Sequence, residues 1–178
     1  MRYRLWIPLA ACAAGAPAFA AQYLNAEQAQ KLMFPEASAF REQDLALSLP
    51  QMQQVEKLAG LAARSVNWRV VGAYSGDKLL GYMVLDDVIG KFELISYAVG
   101  LNPDASVRQV EILSYRESHG GEIRLPAWRR QFTGKSAQTG GLAVGDGIAN
   151  ISGATLSCTH LTDGVRRIAA VAQVALKK

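Results

Sequence analysis

Four small residues near the carboxyl end of the chain have the types and spacing of a phosphate site: Ser152, Gly153, Ala154 and Thr155. They precede a stretch with helical hydrophobic spacing, and the first N–H groups of a helix have no partner within it. Together with the helix dipole, these groups attract a phosphate. The Thr155 hydroxyl adds a point at which a phosphate can be held covalently. Spacing alone also fits a plainer interpretation, in which Ser152 caps the helix and Thr155 only occupies its first turn.

Other kinds of chemistry find little support in the residue types. The chain has two histidines, His119 and His160, and Cys158 is the one cysteine after residue 20, which is too few ligands for a usual metal site. No Ser-His-Asp set stands at a familiar spacing, and no Gly-x-Gly-x-x-Gly follows a predicted strand. The net charge is small and no long Lys/Arg cluster is present, which argues against a nucleic-acid partner. We interpret Cys158 as a small buried hydrophobe rather than a reactive thiol.

Three parts of the chain carry a family resemblance that covers nearly all of the sequence after residue 20. They are residues 151–157 with 161–165, residues 117–123 with Trp128 and 131–135, and residues 23–29 with Phe34 and Pro35. The first begins Ile-Ser-Gly-Ala-Thr-Leu-Ser, the second Glu-Ser-His-Gly-Gly-Glu-Ile, and the third Tyr-Leu-Asn-Ala-Glu-Gln-Ala. In this order of motifs the chain resembles the FMN-binding domain family, which includes the flavinylated domains of the Rnf complex G subunit and of the C subunit of the sodium-pumping NADH:quinone reductase.

The resemblance implies an FMN cofactor, attached through its phosphate to Thr155 by a flavin transferase of the ApbE type that uses FAD as donor. It also implies that neighbouring motif residues surround the phosphate and that the loop at 117–121 contacts the ring or the ribityl chain. The cofactor-binding residues predicted in this way are Thr155, Ser152, Gly153, Ala154, Leu156, Ser157, Glu117, His119, Gly120 and Gly121.

Several of these roles have alternatives. Gly120 and Gly121 either let the loop approach the ring or serve as ordinary turn residues. His119 stands where the family has proline, so a surface loop position is the alternative to a flavin contact. For Trp128 and Phe132 the alternatives are packing near the flavin and burial in the core.

One position departs from the family pattern. Three residues before Ser152 the family usually has aspartate, whereas this chain has Ala149. Asp146 lies three residues further upstream and is a candidate substitute. The departure keeps a second function open, namely a binding module of the same fold that holds flavin non-covalently or not at all.

The first 20 residues have the pattern of an export signal. Arg2 and Arg4 precede an apolar, alanine-rich stretch, and Ala-Phe-Ala at 18–20 fits a signal-peptidase site. We therefore expect a signal peptide at 1–20 and a protein located in the periplasm or cell envelope. Loss of the two arginines lowers the formal net charge from +4 to +2. An alternative is a lipid anchor at Cys12, since Leu-Ala-Ala-Cys precedes the predicted cleavage site.

The remaining residues, 21–178, are predicted to form one FMN-binding domain of the α+β class, because about 158 residues suffice for a single core. Asn25 is expected to cap a first helix, and Leu-Pro at 49–50 to open a second helix that Gly60 ends. Alternating or apolar runs then predict strands at 68–71, 78–85, 93–99 and 107–113.

Tight turns are predicted between these strands at 75–77 and 102–104, and strands linked by hairpins form an antiparallel sheet. A last helix is predicted from 157 to 176. Its apolar face, which should pack on the sheet, consists of Leu161, Val165, Ile168, Ala169 and Ala172.

The predicted function is an exported electron carrier rather than an enzyme. A carrier needs a rigidly held cofactor with an accessible ring. The sequence shows no second acid–base pair of the kind that hydride or proton transfer usually needs. The expected partners are the flavin transferase and an unidentified redox protein at the membrane. A small flavin-dependent reductase is the weaker alternative.

Overall fold

The computed structural model describes residues 21–177, so the predicted signal peptide and Cys12 lie outside the described residues. The elements, in chain order, are β1 (Ala21–Gln22), α1 (Ala26–Met33), β2 (Ala39–Ala46), α2 (Leu49–Ala59), β3 (Asn67–Ser75), β4 (Lys78–Ile89), β5 (Leu94–Leu101), β6 (Val107–Tyr115), α3 (Pro126–Arg129), β7 (Ala143–Val144), β8 (Gly147–Ile148) and α4 (Thr155–Ala175). Short 3-10 helices at Gly121–Arg124 and Arg130–Phe132 flank α3.

Six strands form one antiparallel sheet in the order β1-β6-β5-β4-β3-β2. Strands β2 to β6 form a meander in which each strand pairs with the next, and β1 pairs with β6 at the opposite edge. Gly76, at φ 59°, makes the tight turn between β3 and β4. The α+β class and the antiparallel sheet are therefore confirmed.

The two amino-terminal helices begin at the predicted positions, and α2 ends at the predicted glycine. Asn25 caps α1 in a capping box with Gln28, and Ser48 caps α2 in the same way with Gln51. Gly60 ends α2 in the left-handed conformation, which glycine adopts without a steric penalty.

Strand β2 was not predicted, because its residues do not alternate between apolar and polar types. Its central residues, 41–44, are Arg-Glu-Gln-Asp, and all four are exposed. β2 is an edge strand, and what it contributes to the sheet is mainly backbone pairing with β3. Hydrophobic periodicity, the main sequence signal for a strand, is absent where neither face is buried.

Helices cover both faces of the sheet, with α2 and α4 over one face and α1 over the other. The predicted packing face of α4 is confirmed, since Leu161, Val165, Ile168, Ala169 and Ala172 are all at most 1% exposed. Burying each large aliphatic side chain contributes about 1.5–3 kcal/mol, so α4 is fixed along its length. Of the helices in residues 21–177, none combines the length and apolarity needed to cross a membrane.

Candidate functional site

The first turn of α4 is uncapped. The helix begins at Thr155, two residues before the predicted start, and its N-cap residue Ala154 makes no side-chain hydrogen bond to it. Ser152 is exposed in the preceding turn, so the interpretation of this serine as the helix cap is wrong. The Cys158 N–H donates to the Ala154 oxygen at 3.0 Å, and the three N–H groups before it point out of the helix end.

Side chains from α3 and the 3-10 helix after it hydrogen-bond to the turn before α4. The indole N–H of Trp128 donates to the Ala149 oxygen at 2.8 Å, and the Ala149 N–H donates to Gln131 Oε1 at 2.8 Å. Trp128 and Phe132 are buried and meet edge to face at 5.3 Å between ring centroids. Both aromatic residues therefore belong to the core and support the chain that enters the motif.

The Thr155 side chain is exposed and has a neighbour that the sequence did not indicate. Asn150 Nδ2 donates to Thr155 Oγ1 at 3.2 Å. Ala149 and Asp146 are both exposed, and Asp146 lies in the turn between β7 and β8, where its N–H donates to the Ala143 oxygen. The structure thus places Asn150, rather than Asp146, on the hydroxyl of Thr155.

A cleft of about 400 Å³ opens at the start of α4. It is lined by Lys91, Phe92, Glu117, Ser118, His119, Gly153, Ala154, Thr155, Leu156 and Ser157. Its volume falls within the range of about 300–1,000 Å³ typical of small-molecule and cofactor sites. The structure therefore brings together seven of the ten predicted site residues, and Ser152, Gly120 and Gly121 lie outside the lining.

Gly120 brings the loop at 117–121 against the motif. Its φ is +79°, and a Cβ there would lie 2.1 Å from the Ala154 Cβ. A Cβ on Gly121 would instead meet the flexible end of the Arg124 side chain at 2.6 Å. The structure shows a close approach of Gly120 to the motif residue Ala154, and the approach of this loop to the flavin ring stays a prediction.

Glu117 is engaged with the turn between β4 and β5. Its Oε1 accepts the N–H of Phe92 at 2.6 Å and that of Glu93 at 3.0 Å. Burial acts to raise the pKa of Glu117, but the N–H donors of Glu93 and Phe92 outweigh it, so this pKa lies below its usual value. The carboxylate is therefore held in its ionised form.

His119 and Ser157 both line the cleft but differ in exposure. The His119 ring is exposed, with Nδ1 2.9 Å from Ser118 Oγ, and its backbone oxygen accepts the Tyr115 hydroxyl. Ser157 is 3% exposed. Burial raises the pKa of Tyr115, so its hydroxyl remains a donor that ties the loop to β6.

Cys158 is fully buried, and burial raises the pKa of its thiol. This confirms its interpretation as a buried side chain rather than a reactive one. Within residues 21–177, no cluster of three or more His, Cys, Asp or Glu side chains could hold a metal ion.

Residues 90–170 match the model of the family described as the FMN-binding domain. All the residues that line the cleft fall within this span. Residues 90–170 are an FMN-binding domain. The predicted family and the predicted cofactor, FMN, are therefore confirmed.

Two further comparisons accompany this FMN-binding domain. The crystal structure of Shewanella oneidensis NqrC aligns with 80% of this chain and 80% of that chain, at 16% sequence identity and a TM-score of 0.47. Among curated proteins, none matches the chain.

The lining of the cleft fits FMN on two observations. The uncapped helix start presents backbone N–H groups of the kind that bind phosphate. A Cβ on Gly90 would lie 2.5 Å from Glu117 Oε1 and 3.0 Å from Ser157 Oγ, so these two lining side chains keep their positions only because residue 90 is glycine. Gly90, Lys91, Phe92 and Asn150 were missed by the sequence reasoning, because none of them belongs to a local motif.

Proposed function

We propose that this domain is an exported electron carrier of the cell envelope, with FMN bound covalently through its phosphate to Thr155. The observation that carries the proposal is the position of Thr155. Its exposed hydroxyl stands on the first residue of an uncapped helix and lines the cleft of an FMN-binding domain.

The residues around Thr155 support attachment at this hydroxyl. The N–H groups of the first turn can neutralise a phosphate that arrives there. Asn150 holds Oγ1 through the side-chain amide. In the proposed reaction Thr155 Oγ1 forms a bond to the FMN phosphorus of FAD, the pyrophosphate bond breaks, AMP leaves, and the hydroxyl proton passes to a base of the flavin transferase.

The character of the lining supports a carrier rather than a catalyst. When bound, FMN supplies one-electron and two-electron transfer. Glu117 accepts two backbone N–H groups and is thereby occupied, so its carboxylate is not free to act as an acid or base in the cleft. The phosphate end is fixed by rigid helix α4. We propose a redox protein at the membrane as the partner that meets the open side of the cleft.

A second candidate function rests on Ala149. Its exposed methyl group stands where the family usually has a carboxylate. If the transferase needs that carboxylate for recognition, the domain holds FMN through non-covalent contacts in the same cleft.

Fluorescence of the protein band after denaturing electrophoresis separates the two functions. We expect the wild-type protein, produced with a flavin transferase, to give a fluorescent band, because covalent flavin survives denaturation. Thr155→Ala should abolish the signal. Thr159→Ala, one turn later in α4, is the matched control and should keep it. A fluorescent Thr155→Ala band would show that flavin is attached elsewhere, and a dark wild-type band would favour the non-covalent module.

A further inference from the structure

The turn between β4 and β5 forms one wall of the cleft, and we name residues 90–93 the hairpin tip. Within the tip, the Gly90 N–H donates to the Glu93 oxygen at 2.8 Å. Phe92 is 75% exposed, and its ring contacts the Lys91 ammonium at 4.9 Å from the ring centroid. The tip therefore gains little from apolar burial, and its position depends on polar contacts.

Those polar contacts come from Glu117, which lies 25 residues after Phe92 and 24 residues after Glu93. Glu117 Oε1 accepts both the Phe92 and the Glu93 N–H groups, which belong to residues between β4 and β5. A charged acceptor shared by two backbone donors is among the stronger hydrogen-bond arrangements in proteins. One carboxylate thus ties the tip to the loop that carries His119.

Space for this contact exists because Gly90 leaves room for it. Gly90 has no Cβ, and a Cβ there would collide with Glu117 Oε1 at 2.5 Å. Ser157, in the first turn of α4, brings its Oγ to within 3.0 Å of the same point. The carboxylate of Glu117 therefore sits where the hairpin tip, the loop and the helix start converge.

We propose that Glu117 is a positioning residue: it holds the hairpin tip so that Phe92 forms the outer wall of the cleft, and it acts on the flavin through this wall rather than by touching the ring. The inference rests on the proposed function in that the cleft holds FMN. It assigns Glu117 a different role from the direct flavin contact that the resemblance implies.

The test uses Glu117→Gln, Glu117→Ala and Phe92→Ala in the full domain, with Glu122→Ala as a control that removes an exposed carboxylate from the 3-10 helix just after the loop. Hydrogen exchange at the amides of Phe92 and Glu93 is measured on protein made without the transferase. Glu117→Ala should speed exchange at both amides by about tenfold or more, since it removes the oxygen that accepts both N–H groups. Glu117→Gln retains a carbonyl acceptor and should stay near the wild-type rate, as should Glu122→Ala.

Measurements on flavin-loaded protein then distinguish a positioning role of Glu117 from a direct contact between Glu117 and the flavin. Iodide quenching of flavin fluorescence should increase in Glu117→Ala to the level of Phe92→Ala and should change little in Glu117→Gln. The flavin midpoint potential of Glu117→Gln should match that of the wild type. Unchanged amide exchange in Glu117→Ala would overturn the inference, and so would a potential shifted by Glu117→Gln as far as by Glu117→Ala. Failure of the wild type to bind flavin contradicts the proposed function, while the exchange experiment still decides whether Glu117 holds the tip.

Discussion

The two walls of the cleft are held in place by different means. The wall at the start of α4 is backed by a helix with eleven buried residues and by the Trp128 and Gln131 contacts to Ala149. The wall at the hairpin tip is exposed and is tied down through the Glu117 carboxylate. A rigid wall suits the attachment of a phosphate, whereas a lightly held wall suits access to a flavin ring. Under the proposed function, attachment of the phosphate and access to the ring are therefore supported by separate parts of the fold.

The largest expected effect comes from disturbing the rigid wall at Gly120. In Gly120→Ala the new methyl group would lie 2.1 Å from the Ala154 Cβ, in a backbone conformation with φ +79°. The left-handed conformation costs about 1–2 kcal/mol and overpacking about 1–3 kcal/mol. We expect a loss of about 2–5 kcal/mol in the free energy of unfolding, measured by urea denaturation, together with reduced flavin attachment.

Gly121→Ala is the matched control for that change. Its methyl group would meet the movable end of the Arg124 side chain, and its φ is outside the left-handed region. We expect a loss below about 1 kcal/mol, as for most surface substitutions. Equal losses in the two variants would contradict the contact between Gly120 and Ala154.

A smaller effect is expected at the lightly held wall, from Gly90→Ala. The methyl group would displace Glu117 Oε1 and crowd Ser157, which we expect to cost about 1–3 kcal/mol in unfolding free energy. Urea denaturation of Gly90→Ala, made in the wild type and in Glu117→Ala, tests whether the collision with the carboxylate causes this loss. In Glu117→Ala the same change should cost clearly less, because the colliding carboxylate is gone. Additive costs would show that the carboxylate does not occupy the space beside Gly90.

The smallest effect on stability is expected from Ala149→Asp. The Ala149 backbone is held at both its N–H and its oxygen, while the side chain is exposed, so the change should alter unfolding free energy by less than about 0.5 kcal/mol. If the transferase reads the family's carboxylate, this variant should be flavinylated faster than the wild type, as measured by the time course of band fluorescence. An unchanged rate would show that recognition proceeds without that carboxylate.

The rigid wall could be predicted from the sequence because its signals are local. Small residues before an amphipathic segment indicate a helix start, and the face of α4 at Leu161, Val165 and Ile168 follows from helical spacing. The start was placed two residues late because no capping side chain marks it: Ala154 precedes the helix without a side-chain hydrogen bond to it. The alternation that indicates strands likewise identified β3 to β6.

The lightly held wall could not be predicted, because it arises from long-range contacts. Phe92 and Glu117 are 25 residues apart, and no local pattern links a carboxylate to backbone N–H groups at that distance. Gly90 reads as an ordinary turn glycine until the structure shows what a Cβ would meet. Asn150 next to Thr155 and the polar edge strand β2 were missed for a different reason, since neither leaves a hydrophobic period.

The most direct test of flavin attachment is the mass of the mature protein, produced in a host with a flavin transferase and followed by fragment mapping. We expect a chain that begins at Ala21 and carries the mass of one FMN less one water, with the increment on the fragment that contains Thr155. An unmodified mature chain, or an increment on a fragment without Thr155, would contradict covalent attachment at the start of α4.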